Sequence, residues 1–493
     1  AYNNTTGNFN VAVGYQVLKA NTIGKENVAI GPYALHTNTT AIRNVAVGGS
    51  ALRYNTIGDE NTAIGFNSLN KNTTGKMNIG IGHFAMWTNT IGVQNTAVGT
   101  GAMQYNTTGG NNTALGTYTL FSNTTGQRNT ALGNQTLRNN TIGKQNSAVG
   151  MYALYNNTTG NYNTVVGYGA MQYNTIGANS IAIGKDALFT NTTGTNNTAI
   201  GYEALRQNTI GQKNIAIGHT ALRSNTTGQY NTAVGYKSLY TNTTGINNTA
   251  VGYETLVSNT TGSYNIAVGR GAMYTNTVGF DNIAVGVNAL IFNTTGYKNI
   301  AVGKDALKTN TIGINNVGIG TNALYTNTTG SSNTAVGYQT LYANTTGRYN
   351  VAVGFDALKA NTIGQYNTAV GRESLLNSTT SQKNTAIGNR ALYTNTIGGY
   401  NVALGNEALY ANTTANYNTA VGYYALNLNT IGKENTAIGN QALNANTTAN
   451  YNTAVGSSAL RTNTTGVENV AVGREALKLN TIGSQNAALG VNA

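Results

Sequence analysis

The chain alternates short apolar bursts with polar bends on a fixed period of seventeen residues. Residues 225–241 read NTTGQYNTAVGYKSLYT, and NTTG follows at once. Within this unit the run N-T-A-V-G alternates between two faces, is β-branched and ends on Gly, which predicts a strand of about five residues. N-T-[T/I]-G predicts a corner, because Gly supplies positive φ and Asn tolerates it. A second short extended piece is expected around the Leu that follows. Helix is disfavoured, since Gly and Asn, both poor in a helix interior, recur in every unit.

A fixed period of this length marks a solenoid. The 493 residues divide into 29 such units with none left over. A single continuous solenoid over 1–493 is therefore expected in place of the roughly three domains that length alone suggests. The predicted fold is an all-β parallel β-solenoid, or β-roll, with one coil per repeat. At ~4.8 Å per coil its 29 coils would form a rod roughly 140 Å long.

In such a stack each residue sits above its counterpart one unit earlier, so the rows explain what is fixed. The strand-closing Gly (Gly14, Gly235, Gly490) occurs in every unit, which implies that no side chain fits there. The Leu row (Leu18, Leu239) admits only Met86, Met103, Met171 and Met273, a near-constant volume that marks the core. The first Asn of the unit (Asn225) is replaced once, by Ser378, and the second (Asn231) once, by Ser180. Stacked Asn side chains can hydrogen-bond along the axis as amide ladders, so Asn225, Asn231, Gly235 and Leu239 are read as structural rows.

The strand hints at more than one chain. Thr and Val of N-T-A-V-G point to one face, and Asn, Ala and Gly to the other. Both faces are small or apolar, as in a strand covered on both sides, and a second solenoid on the small-residue face would supply the cover. At residues 179–184 the sequence N-S-I-A-I-G resembles the head repeats of trimeric autotransporter adhesins, whose units are shorter. The full unit is similar to repeats of phage and bacterial tail-fibre-like proteins. The first resemblance implies a left-handed β-roll assembled as a homotrimer. The second implies a fibre, although nothing in the chain matches the self-cleaving chaperone domain with which such proteins often end.

Composition narrows the chemistry. Lys+Arg 27 against Asp+Glu 14 leaves +13, under half a charge per unit and never a run, so a nucleic-acid stripe is not expected. No cysteine is present, which removes disulfides and thiolate metal sites. No apolar segment approaches the ~20 residues of a membrane helix, and none reads as a signal peptide. His83 and His219 share a row but lie eight coils apart, roughly 38 Å, and His36 lies elsewhere on the coil. Catalytic, metal and cofactor sites are therefore not expected. The acid pairs, such as Asp59–Glu60, read as solvated turns.

Two features remain. N-T-T matches the N-glycosylation pattern in sixteen units, with Asn4, Asn72, Asn225 and Asn463 among them, although the short pattern is better explained by an Asn-Thr corner unless the source glycosylates secreted proteins. In twelve units Ile or Val replaces the second Thr (Ile23, Ile57, Val278), never in adjacent units. The 31 tyrosines, such as Tyr230, Tyr236 and Tyr240, occupy variable positions suited to sugars or adaptable polar surfaces, and equally to shielding the strands of a soluble β-surface.

The expected function is the structural shaft of an extracellular, cell-surface or virion-attached fibre, with self-association and adhesion to glycans or surface receptors. Ice binding is the rival, though Thr-Thr in a Gly-bounded corner is a poor match to a flat T-x-T array; a filament-forming lone solenoid is a second. First and last units obey the same consensus and carry no distinct cap, so continuation into a longer chain or end-to-end stacking is expected.

Overall fold

The computed structural model describes residues 2–493. The coils group into two compact units, Ala1–Asn247 and Asn248–Ala493. The first carries β1 (Val11–Val13) through β14 (Thr232–Val234), and the second β15 (Thr249–Val251) through β29 (Ala487–Leu489). In each unit successive strands pair in parallel, one period apart. Val11 faces Val28 in the first, and Thr249 faces Ile266 in the second. The protein is a parallel β-solenoid with one seventeen-residue coil per repeat, and the described residues contain no helix.

Each strand is three residues long, not the expected five. The chain bends immediately on both sides. Before the strand Thr96–Val98, Gln94 lies in the left-handed region at φ 57°, and after it Gly99 lies at φ 133°. Inter-coil bonding nevertheless continues past the strand ends. Gly99 N donates to Ile81 O at 2.8 Å, Met103 N to Thr119 O at 2.9 Å, and Tyr105 N to Phe121 O at 2.9 Å. The coil is thus a parallel ladder around most of its perimeter, interrupted by left-handed residues that make it close.

The extended piece expected at Leu does not form. Two tight turns occupy that arc, closed by Ala102 N to Gly99 O (3.2 Å) and Asn106 N to Met103 O (3.0 Å). They require left-handed backbone at Gly101 (φ 62°) and at the core residue itself, Met103 (φ 51°) or Leu239 (φ 52°). A non-Gly residue in that region costs about 1–2 kcal/mol. Full burial of a Leu side chain returns about 1.5–3 kcal/mol, which explains how Leu can hold the position. The corner glycine also differs from expectation. Gly58 has ordinary φ and is small for want of space, since a Cβ there would meet Asn55 Oδ1 at 2.5 Å and Asn72 Nδ2 at 2.9 Å.

The pleat settles which face is inside. Ala233 is fully buried, while Thr232 and Val234 on either side are half-exposed. The small-residue face is therefore the coil's own interior, and no second solenoid can pack against it. The face left open is the branched one. The interior is narrow, filled by the Ala of the strand, the small residue before Leu, the Leu or Met, and the two Asn rows.

The strand-closing Gly is doubly constrained. Its φ lies in a region that side chains rarely adopt, and a Cβ on Gly99 would sit 2.7 Å from the carbonyl carbon of Gly116 in the next coil. A Gly99→Val, Gly116→Val, Gly201→Val triple variant should therefore lose roughly 3 kcal/mol per site, because backbone, not a movable side chain, is in the way. Thermal unfolding by far-UV circular dichroism checks this, and an unchanged melting temperature would contradict it.

Candidate functional site

The chain invests its fixed residues in contacts from coil to coil. Asn225 is fully buried. Its Nδ2 donates to Asn208 Oδ1 (2.9 Å) and to Gly228 O (3.0 Å), and its Oδ1 accepts from Asn242 Nδ2 (2.9 Å). Asn231 makes a different ladder. Both its backbone N (3.0 Å) and its Nδ2 (3.3 Å) donate to Asn214 Oδ1, and Nδ2 also reaches forward to Gly245 O (2.8 Å). Gly235 donates its N–H to Ile217 O at 2.8 Å with φ 128°, and Leu239 is fully buried beside it. Each amide is thus satisfied by the same amide of its neighbours, which is what burial of so many polar groups requires.

The exceptions show the rule at work. Ser378 replaces Asn in the first ladder, and in the same corner Ser381 replaces Gly. The two hydroxyls hydrogen-bond to each other. The shorter Ser378 removes the amide oxygen that would abut a Cβ at the corner, so the two substitutions fit as a pair. The cost falls on the preceding coil, where buried Asn361 Oδ1 has no hydrogen-bond partner. Ser180 continues the second ladder by accepting Asn197 N at 3.2 Å.

The ladders also decide the glycosylation pattern. Asn72, Asn225 and Asn463 are fully buried, and each Nδ2 donates twice within the stack. A folded coil has no room for a glycan at those nitrogens. Asn4 is exposed, with Nδ2 donating to Gly7 O at 2.7 Å.

Outside, three surfaces stand out. The branched face carries two rows, and the second is Val, Ile or Leu in every strand from Val13 to Leu489. Its members remain partly open, as Ile183 (37%) and Val353 (36%) show. The Ile residues of the corner row are open as well, for example Ile57 at 48%. Aromatic residues form stacked pairs one coil apart, such as Tyr349–Tyr366 and Tyr400–Tyr417, each with ring centroids 5.0 Å apart. Tyr236 lies against His219 (5.5 Å), Tyr230 under Lys213 (5.0 Å), and Tyr240 under Arg223 (5.8 Å).

The ionisable groups are dispersed. Arg43 bridges Glu26 and Glu60 along the stack, and Lys76 pairs with Asp59 at 2.8 Å. His36 bonds Gln16 at 3.1 Å, and burial, with Lys19 and Arg53 nearby, pushes its pKa down. His83 packs against Phe66 and Phe84. Among the described residues no three His, Cys, Asp or Glu side chains converge to hold a metal ion. Burial opposes the charge of Glu203, but the hydrogen bond and charge of Arg223, with Arg206, outweigh it and hold the carboxyl below its usual range. Arg390, bonded at 2.7 Å, chiefly does the same for Glu373.

The sequence reading missed the left-handed backbone at three non-Gly positions per coil. Its signals were Gly101, Gly169 and Gly271 at one of those positions, and Asn or Asp at two of them, as in Asn67, Asp186 and Asn196. No protein-family model matches the chain, and no curated protein shows significant similarity to it.

Asn225→Ala should cost about 3 kcal/mol by stranding buried Asn208 Oδ1 and taking one of its two acceptors from Asn242 Nδ2, whereas Ser378→Asn with Ser381→Gly should gain about 1 kcal/mol by giving Asn361 a donor. Denaturant midpoints check both. Glu203 and Glu373 have lowered folded pKa values, so their stabilisation is complete above the unfolded value near ~4.3 and is lost as pH falls through the lower folded values. Glu203→Gln with Glu373→Gln should flatten the loss of stability below about pH 4.3; identical acid profiles for variant and parent would refute the assignment.

Proposed function

We propose that the chain is the shaft segment of an extracellular or virion-attached fibre, built from stacked identical coils and assembled as a homotrimer through the branched face of the sheet. The observation that carries this reading is the division of labour around the coil. The near-invariant Asn, Leu and corner Thr side chains are spent on joining one coil to the next, and the exposed aliphatic row of the strand is nearly as strict as the core. Monomeric proteins rarely expose a long contiguous apolar patch. The 28 outward positions on β1–β14 compare with roughly 20–30 residues per partner in a stable interface. The resemblance of N-S-I-A-I-G at residues 179–184 to trimeric adhesin repeats agrees with this reading. The exterior Tyr, Asn and Thr positions are where adhesion to glycans or surface receptors would reside. Ice binding draws less support, because the first Thr of each corner spends its hydroxyl within the stack, as Thr226 Oγ1 does on Thr243 O at 3.1 Å.

Sedimentation under native conditions should give three times the single-chain mass. Replacing outward aliphatics by Lys, as in Val98→Lys, Ile200→Lys and Val336→Lys, should yield single chains with strand signal retained. A single-chain mass for the unaltered protein would overturn the assembly.

A further inference from the structure

We propose that four stacked tyrosine pairs, Tyr325–Tyr342, Tyr349–Tyr366, Tyr393–Tyr410 and Tyr400–Tyr417, are sites of oxidative dityrosine cross-linking that staple one coil to the next. In each pair the two residues are one period apart, so the inter-coil ladder fixes their backbones side by side. The rings stack with centroids at 5.0, 5.0, 5.1 and 5.0 Å and interplanar angles of 11°, 12°, 7° and 23°. Nearly parallel rings one period apart keep corresponding Cε carbons about as close as the centroids, within reach of carbon–carbon coupling once the rings tilt together. Tyr349, Tyr366, Tyr400 and Tyr417 are about half exposed, between 46% and 56%, and so are open to an oxidant. The other two pairs are half-buried.

Chain composition gives the chemistry its place. With no cysteine and 31 tyrosines, the phenol is the side chain here best suited to form an oxidative covalent bridge. The co-reactant is hydrogen peroxide acting through a haem peroxidase. Each tyrosine of a pair loses one electron and its phenolic proton, giving a phenoxyl radical with spin on Cε. The two radicals couple through a new Cε–Cε bond, and each ring regains aromaticity as its Cε proton transfers to its oxygen. Two electrons and two protons leave per bridge, and they reduce one peroxide to two waters. Phe280–Tyr297 (4.7 Å) and Tyr338–Phe355 (5.3 Å) stack in the same manner but each hold only one phenol, so they serve as internal controls. In the first unit Tyr15–Tyr33 and Tyr152–Tyr168 meet edge-on, at 87° and 85°, which separates their Cε carbons from the coupling geometry.

The full chain, dilute enough that coupling between separate assemblies is rare, is treated with peroxide and a haem peroxidase, digested, and its bridged peptides identified by mass spectrometry, with mixed isotope-labelled and unlabelled chains separating intrachain from interchain bridges. Bridges joining 325 to 342, 349 to 366, 393 to 410 and 400 to 417 are expected, with blue dityrosine fluorescence and a raised melting temperature. The Tyr342→Phe, Tyr366→Phe, Tyr410→Phe, Tyr417→Phe variant keeps the stacking but should lose those bridges, most of the fluorescence and the gain in melting temperature. Bridges only between chains, absence of bridging at all four pairs, or undiminished intrachain yield in the variant would overturn the proposal.

Discussion

The oxygen of a side-chain amide buried in this solenoid is satisfied by its own copy one coil away, while its nitrogen also holds a corner carbonyl. The interior is narrow, and besides the two Asn rows it holds Ala, Leu, the corner Gly and a few small hydroxyls such as Ser68 and Thr119, which bond backbone carbonyls. Each Asn therefore works only if the next coil repeats it at the same height. That requirement fixes the period more firmly than hydrophobic packing could. Leu239 would tolerate a slightly displaced Leu below it, but a one-residue insertion would strand Asn225 and Asn231 together and leave buried amides unpaired, at about 1–3 kcal/mol each. Stability is accordingly a sum of nearly equal nearest-neighbour terms.

This constraint explains how much could be read from the sequence. The period, the parallel stack and the inward rows were legible because each is written once per coil in the least variable letters, as in Asn231, Gly235 and Leu239. The direction of the pleat was not. Thr-Ala-Val is apolar or small on both faces, and only the coil's closure shows that Ala233 looks in and Val234 looks out. Left-handed backbone at Leu239 was illegible too, since Leu carries no signal for positive φ; the turn is imposed by the need to bring the next Asn above the last.

The exterior follows different rules. Charged side chains vary freely from coil to coil, and contacts such as Arg43 between Glu26 and Glu60 are exposed pairs of the kind that contribute roughly 0–1 kcal/mol. The aliphatic row of the strand is also exposed, yet it is never charged or polar in any coil. Interior packing cannot account for that strictness, because these side chains do not reach the interior. Its members stack in register on their copies in the next coil and stay partly exposed, so the row forms a continuous apolar strip on the outside, and this separates it from the scattered Tyr and Lys around it.

The two glycine rows make the same distinction from the inside. In both, a Cβ would collide with the next coil, yet the chain treats them differently. The corner row admits Ala41, Ser381, Ala415 and Ala449, and those alanines are buried without disrupting the stack. The strand-closing row admits nothing. At the corner the backbone has ordinary φ, so a crowded Cβ is relieved by a small separation of two coils. At Gly99 or Gly201 the φ of 133° would strain any side chain even in empty space, and moving the coils apart relieves only the contact. Crowding alone can be relaxed locally, whereas crowding combined with a forbidden dihedral cannot, and only the second constraint is absolute along the chain.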